Sequence, residues 1–461
     1  MWRDLQPRRM RRIVIVAPVA QLDRALLGVG RAGVVELDVR PDPDPVTPDA
    51  EERMPAGVAA QVARVAATAR CRGEVAGLAG WTPEAELEAL SDRLHELGAT
   101  AVPVPPPAGV QPPTQLHGHA RGRSFDLLVE TYATVPYRDL DPAVVAGVAY
   151  VAMFGMMFGD VGHGLLLLVG GLLARSGRLP GTAATVAGLR RSWPFLAGGG
   201  LASMAFGLLY GEAFGPTGLV PTLWLNPLES PVPVLVAAVL AGSVLIAGAY
   251  GLGTANRVRE GGWGYALYAR TGVAGSLVFT ALAGFVAGFT WGRAWLVALA
   301  VVLSLVGLGL AFVGLLVESG GGAAGVVQSV VELVDLVVRL GSNVVSFARL
   351  AAFGLTHAAL GAVVWQGTTG LWSPGPGMAA AVLLLVVGNI AAFALEALVA
   401  GIQALRLEYY ELFSRVFTQE GRPFRPWRLP ASAVEGPLSQ VPPLGPQWPA
   451  AALPSQRGEF E

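Results

Sequence analysis

Apolar and polar residues alternate in two different ways along this chain. Up to about residue 140, short apolar runs are broken by charged stretches. Residues 13–16 read as a strand, 21–30 as an amphipathic helix, and 34–39 alternate as a second strand. An Asp/Pro linker occupies 40–49. Helical stretches are predicted at 51–70 and 83–97, the second opened by a capping pattern at Thr82 with Glu86 nearby. Residues 101–104 form a further strand candidate, and 105–113 a second Pro-rich linker. The pattern predicts a small α+β domain, with neither a Gly-rich nucleotide fingerprint nor metal-ligand spacing.

Beyond residue 140 the apolar runs lengthen to those that cross a bilayer, which takes about 20 residues as a helix. They lie at 201–210 with its flanks, 231–250, 266–289, 294–316, 326–365 and 379–417. As one helix, residues 141–174 would extend about 51 Å, too long for a hydrocarbon core of about 30 Å. Glycines at 155, 159, 162 and 164 mark its middle, so two short helices hinged near 160–164 are expected. The fold class predicted is thus a mainly α, polytopic membrane protein with about eight transmembrane helices, the last two long and tilted. Its domains are 1–140, 141–417 and a Pro-rich tail at 418–461 with no hydrophobic periodicity.

Charge supports that division. Residues 1–140 hold 16 Arg and 18 Asp/Glu, whereas 143–417 hold 12 and 10 over twice the length. With eight spans and a cytoplasmic N-terminus, Arg175, Arg178, Arg190, Arg191, Arg257, Arg259 and Arg270 fall in cytoplasmic loops, as the positive-inside rule requires. Arg293 is the exception. The overall 14% of charged residues is far below the usual 25% or so, and excludes an ordinary soluble enzyme. A net charge of −1 suggests no nucleic-acid partner. All 32 basic residues are Arg. Without Lys there is neither a Walker A loop nor Schiff-base chemistry. The single Cys71 cannot form an internal disulfide and fits a cytoplasmic face, and no cleaved signal is read at the Arg-rich N-terminus.

Ionisable residues at membrane depth point by default to an ion or proton pathway. They gather in the last two long segments: Glu332, Asp335, Arg339, Arg349 and His357 in one, Glu396, Gln403, Arg406, Glu408 and Glu411 in the other. Asp335 can pair with Arg339 one turn on, its ordinary structural reading. Arg349 has no acid within a turn on its own helix, and either snorkels, pairs across helices or works in transport. His357 stands eight residues further on, about 12 Å along the axis. Glu396, Gln403 and Arg406 make a polar stripe that serves either interhelical hydrogen bonding or transport. Asp160 and His163 either join that stripe or are polar helix ends at the surface. Glu212 is read as loop structure.

The run from Phe154 to Gly164, FGMMFGDVGHG, resembles the signature of the a subunit of V/A-type rotary ATPases, called subunit I in bacteria. SFARLAAFGLTHAAL at 346–360 resembles that family's arginine helix, and LEALVAGIQALRLEYYELF at 395–413 its last helix. Residues 112–142 resemble its linker into the membrane, and 11–39 its N-terminal strand-helix-strand.

The resemblance implies a fold with eight spans and a stator function, with no cofactor, no metal and no catalysis of ATP chemistry on this chain. Arg349 matches the essential arginine facing the rotor ring, and Arg406 a supporting one. Glu396, Gln403 and His357 match positions near the external half-channel. Asp335 matches an acidic position on the arginine helix; Asp160, His163 and Glu332 are accessory candidates. The implied partners are a proteolipid c-ring with its carboxylate, peripheral and central stalk subunits, the nucleotide-binding V1/A1 subunits and membrane lipid. The family's cytoplasmic domain is usually much longer and carries a helical arm, so stalk attachment here would fall to the shortened α+β domain. A proton-coupled secondary transporter and a structural scaffold are the competing classes; the transporter reading lacks the repeated halves such folds often show.

Overall fold

Strands at the N-terminal end pair into one antiparallel sheet in the order β2-β4-β1-β5, with β3 added on β4. The computed structural model describes residues 6–38, 54–116, 134–177, 190–417 and 420–429, with Val129 and Gly188. The linker at 40–49, Arg178 and the tail past 429 lie outside the described residues. β1 (Met10–Pro18) turns Ile13, Ile15 and Ala17 to one face, where they are buried under α1 (Leu22–Ala32). That helix places Leu22, Ala25, Leu26 and Val29 along a single stripe, the i, i+3, i+4, i+7 pattern of an amphipathic helix. It ends at Gly33, whose φ of 60° is cheap only for glycine. Then come β2 (Glu36–Leu37), α2 (Met54–Ala66), β3 (Arg70–Arg72), β4 (Val75–Pro83), α3 (Leu87–Glu96) and β5 (Thr100–Pro103).

Two features depart from expectation. β4 is central to the sheet, paired along its length with β1, although nothing in its sequence marked it as a strand. Thr82 caps no helix; it lies in β4 and its hydroxyl donates to the Val34 carbonyl at 2.9 Å, so α3 starts later, after a tight turn at 84–86. Residues 422–429 belong to the same compact unit. The Trp427 amide donates to the Val35 carbonyl at 2.8 Å and the Leu429 amide to the Gly30 carbonyl at 3.1 Å. Leu429 is buried against this core.

The second unit is helical. It runs α4 (Ala143–Met157), α5 (Val161–Ser176), α6 (Trp193–Tyr210), α7 (Pro231–Tyr268), α8 (Val273–Thr290) and α9 (Ala294–Glu318). It continues with α10 (Gly322–Ser346), α11 (Ala348–Leu371) and α12 (Pro376–Leu407), then a π-helical turn at Glu408–Phe413 and a final turn α13 (Ser414–Val416). Among the described residues, five segments are long and apolar enough to cross a membrane: α6, α7, α8, α9 and α12 with its extension to Val416. The chain is a mainly helical, multi-pass membrane protein with a small sheet domain near its N-terminus. Helices α4 and α5 are apolar but shorter, 15 and 16 residues. Their break falls at 158–160, just before the expected hinge, with Asp160 as the N-cap of α5. The expected 266–289 segment starts only at Val273: α7 is broken at Gly262, where φ is 77°, and a short helical stretch continues from there to Tyr268. The expected 326–365 segment is two helices, broken at Phe347.

The glycines near the hinge serve packing more than bending. A Cβ on Gly164 would stand 2.7 Å from the Gly200 carbonyl oxygen and the Met204 nitrogen, and one on Gly200 2.5 Å from the Leu168 nitrogen. Helices α5 and α6 therefore touch backbone to backbone, as small residues allow in membranes. Gly200→Val should cost about 1–3 kcal/mol or more, because the obstruction is main chain that cannot swing aside. A lowered melting temperature of the detergent-solubilised protein is the expected readout; an unchanged one would show that the helices have room.

Candidate functional site

Two groups of polar side chains lie within the helical unit. The first is built on Asp160. As N-cap it accepts the His163 amide on Oδ1 at 2.8 Å, while Oδ2 accepts the Gly215 amide at 2.9 Å, tying the α4–α5 break to the loop after α6. Opposite stand His163, with Nδ1 3.8 Å from Asp160 Oδ1, and His357 of α11, with Nε2 4.0 Å from Oδ2. The other nitrogen of His357, Nδ1, pairs with Glu396 Oε2 of α12. Asp160 is fully buried, and His163, His357 and Glu396 are buried too.

Phe158 stacks on His163 at a centroid distance of 5.7 Å and tilts against His357 at 5.0 Å; Phe214 meets His163 edge-on at 5.4 Å. These rings exclude lipid and fix the imidazoles. Glu212, next to the loop residues that cap Asp160, is buried as well. Asp160, His163, His357 and Glu396, four titratable groups, thus meet beside the rings of Phe158 and Phe214. Asp160, His163 and His357 present ligand atoms within 4.8 Å of one another, a donor set and spacing that a divalent cation could also use.

The second group is built on Arg349. The chain tightens at Phe347, where the Phe347 amide bonds to the Val344 carbonyl and the Leu350 amide to the Phe347 carbonyl, three residues back. Phe347 is fully buried against α7, where a Cβ on Gly242 would lie within 2.0 Å of its ring. Arg349 therefore sits in the first turn of α11, and Nη2 donates to the Ser346 hydroxyl at 2.8 Å. The same Nη2 is 3.6 Å from Glu411 Oε1 in the π-helical turn. Nη1 is shielded from solvent and has no hydrogen-bond partner among the described residues, although the side chain as a whole is 29% exposed.

The other sequence-predicted residues divide. Arg406 lies exposed on α12 and acts electrostatically on Glu411. Gln403 is half-buried, its Oε1 without a hydrogen-bond partner among the described residues. Asp335 makes the local pair with Arg339, 2.6 Å and largely exposed, and Glu332 binds Arg270 at 2.8 Å. Neither is in contact with the two groups.

Sequence reading leaves the partners of three buried groups undefined: Glu411, Arg415 and Arg257. Glu411 partners Arg349. Arg415 donates to the Tyr250 hydroxyl and lies 4.6 Å over that ring. Arg257, expected in a loop, lies in α7, is 1% exposed and pairs with Glu260 at 2.6 Å. The i, i+3 spacing of Arg257 and Glu260 was the available signal for the last; the first two depend on helix–helix contacts.

Residues 68–224, which include the FGMMFGDVGHG run, match the model of the V-type ATPase 116kDa subunit family. Over 365 residues the sequence is 29% identical to A-type ATP synthase subunit I of Aeropyrum pernix, covering 67% of this chain and 50% of the relative. The corresponding subunit of Pyrococcus horikoshii is 25% identical over 366 residues, 76% of this chain and 53% of the relative. The vacuolar proton translocating ATPase 100 kDa subunit of Dictyostelium discoideum is 34% identical over 110 residues, 22% of this chain and 14% of the relative. The chain spans about half the length of the first two.

Proposed function

From a chain that carries a V-type ATPase 116kDa subunit family domain and is homologous to A-type ATP synthase subunit I, we propose a membrane stator that couples proton translocation to the turning of a rotor ring. The carrying observation is the placement of Arg349. It is part-exposed, has one guanidinium nitrogen unengaged among the described residues, and stands eight residues, about 12 Å, from the buried His357.

In this reading a ring carboxylate on another subunit crosses lipid in its neutral form. At the stator it meets a guanidinium that in practice never loses its proton. The positive charge favours the ionised carboxylate, so the proton is released there. It leaves on the external side through the relay of His357, Glu396, Asp160 and His163, with Gln403 and Arg406 along the same helix face. Arg349 also blocks direct proton flow between this outlet and a cytoplasmic half-channel. Asp335 and Glu332, both remote from the relay, fit the cytoplasmic side. The N-terminal domain and tail are then cytoplasmic, and the chain itself performs no nucleotide chemistry.

The partners required are a proteolipid ring, peripheral and central stalks and nucleotide-binding subunits. Affinity purification of the tagged chain from gently solubilised membranes should recover the ring and those subunits in fixed ratio. Isolation of the chain alone, transporting a small solute, would replace this reading with that of a secondary transporter.

A further inference from the structure

One carboxylate, in the π-helical turn that follows α12, lies against the arginine of α11. Glu411 Oε1 stands 3.6 Å from Arg349 Nη2, and Arg406 and Arg415 flank it in sequence, five residues before and four after. Ser346 holds the guanidinium that faces it, its hydroxyl accepting from Arg349 Nη2 at 2.8 Å. Glu411 itself lies in the π-helical turn Glu408–Phe413, a distortion that often marks functional sites. That turn is anchored from below. Arg415 Nε donates to the Glu411 carbonyl at 3.2 Å, and its Nη1 reaches the Tyr250 hydroxyl on α7. The remaining charged neighbour on this element is Glu408, buried, with Oε2 unpartnered among the described residues.

We propose that Glu411 is the resting partner of Arg349, holding it between visits of the ring carboxylate, so that each rotor step exchanges one carboxylate for another on the same guanidinium. This rests on the stator reading given above. Two observations carry it. A guanidinium at membrane depth without a counter-charge is costly, and between successive ring sites Arg349 would be in that state; Glu411 keeps it paired. The pairing is also loose: 3.6 Å, against the 2.7–2.9 Å of a strong charge-assisted bond. The side chain is also 29% exposed, so an incoming carboxylate can reach the guanidinium while Nη2 still faces Glu411. Glu411 acts through Arg349 and is a positioning residue, with Arg415 fixing its place.

The test uses the assembled complex in sealed vesicles. ATP-driven pumping and carbodiimide labelling of the ring carboxylate are both measured against pH. Glu411→Gln removes an anion beside Arg349, which then holds the ring carboxylate ionised to lower pH and releases it more slowly. Both midpoints should move to lower pH by about half a unit or more, with the maximal rate down by roughly 3- to 10-fold. Glu411→Asp keeps the charge at shorter reach and should give a smaller shift in the same direction; it carries the test if the Gln variant fails to assemble.

Unmoved midpoints overturn the proposal, including the case of a rate lowered equally at every pH, which is the mark of a purely structural loss. Arg349→Ala, run in parallel, separates the two ideas. If it still pumps, the stator reading itself is wrong. If it is dead while the Glu411 variants show no shift, only the partner exchange fails.

Discussion

Arg349→Ala should reduce ATP-driven proton pumping by reconstituted vesicles to background while the complex still assembles. The side chain makes two hydrogen bonds to Ser346, Nε to its carbonyl at 3.3 Å and Nη2 to its hydroxyl at 2.8 Å, and a loose ion pair to Glu411, and it is 29% exposed. Its removal therefore opens no deep core cavity, and the packing of Phe347, Leu350 and Ala351 beside it is untouched. What is lost is the fixed positive charge. Without it a ring carboxylate has no reason to ionise at the stator, and protons can pass between half-channels without turning the ring. ATP hydrolysis should then continue uncoupled, or stall, with no gradient formed.

Arg349→Lys is the sharper variant. An ammonium can lose its proton when desolvated and lacks the second nitrogen needed to hold two carboxylates at once. It should fall well short of wild type. Pumping at wild-type rates by Arg349→Ala, with assembly verified by co-sedimentation of the ring, would remove Arg349 from the mechanism.

The next largest effect is expected at His357. Truncation to Ala leaves Glu396 buried without its partner, and breaking a buried pair in this way costs about 3–5 kcal/mol. Glu396 Oε1 has no other partner among the described residues, so nothing there absorbs the charge. His357→Ala should lower both the melting temperature and the pumping rate, the latter by tenfold or more. Glu396→Gln separates the two: the amide keeps shape and hydrogen-bonding capacity, so stability should stay near wild type while pumping falls, because Gln carries no proton. A Glu396→Gln protein that pumps normally would show the pair to be structural.

The membrane character of the chain was legible from its sequence because long apolar runs have few alternatives. The α+β character of the first unit was legible from strand and helix periodicity. β4 was not: VAGLAGWTP is small and weakly patterned, and becomes a strand because β1 pairs with it. Thr82 shows the same override, a capping-type residue drawn into the sheet by the Val34 carbonyl. The glycines at 155–164 announced a break, yet most of their purpose lies in α6, whose backbone leaves no room for a Cβ.

For the site, the sequence by itself determined which chemistry is present: ionisable residues stranded in apolar helices, and an arginine with no local partner. Those facts follow from composition and spacing alone. Only the tertiary structure decided who meets whom. It drew Asp160 and His163, readable as surface helix ends, into one buried cluster with His357 and Glu396. It left Asp335 and Glu332 outside, and set Glu411 against Arg349. The physical reason is range. Periodicity reports contacts within a helix turn or two, whereas His357 meets Asp160 and Glu396, and Arg349 meets Glu411, across helices far apart in sequence, at positions set by the break at Phe347, the Asp160 cap and the π-helical turn at 408–413.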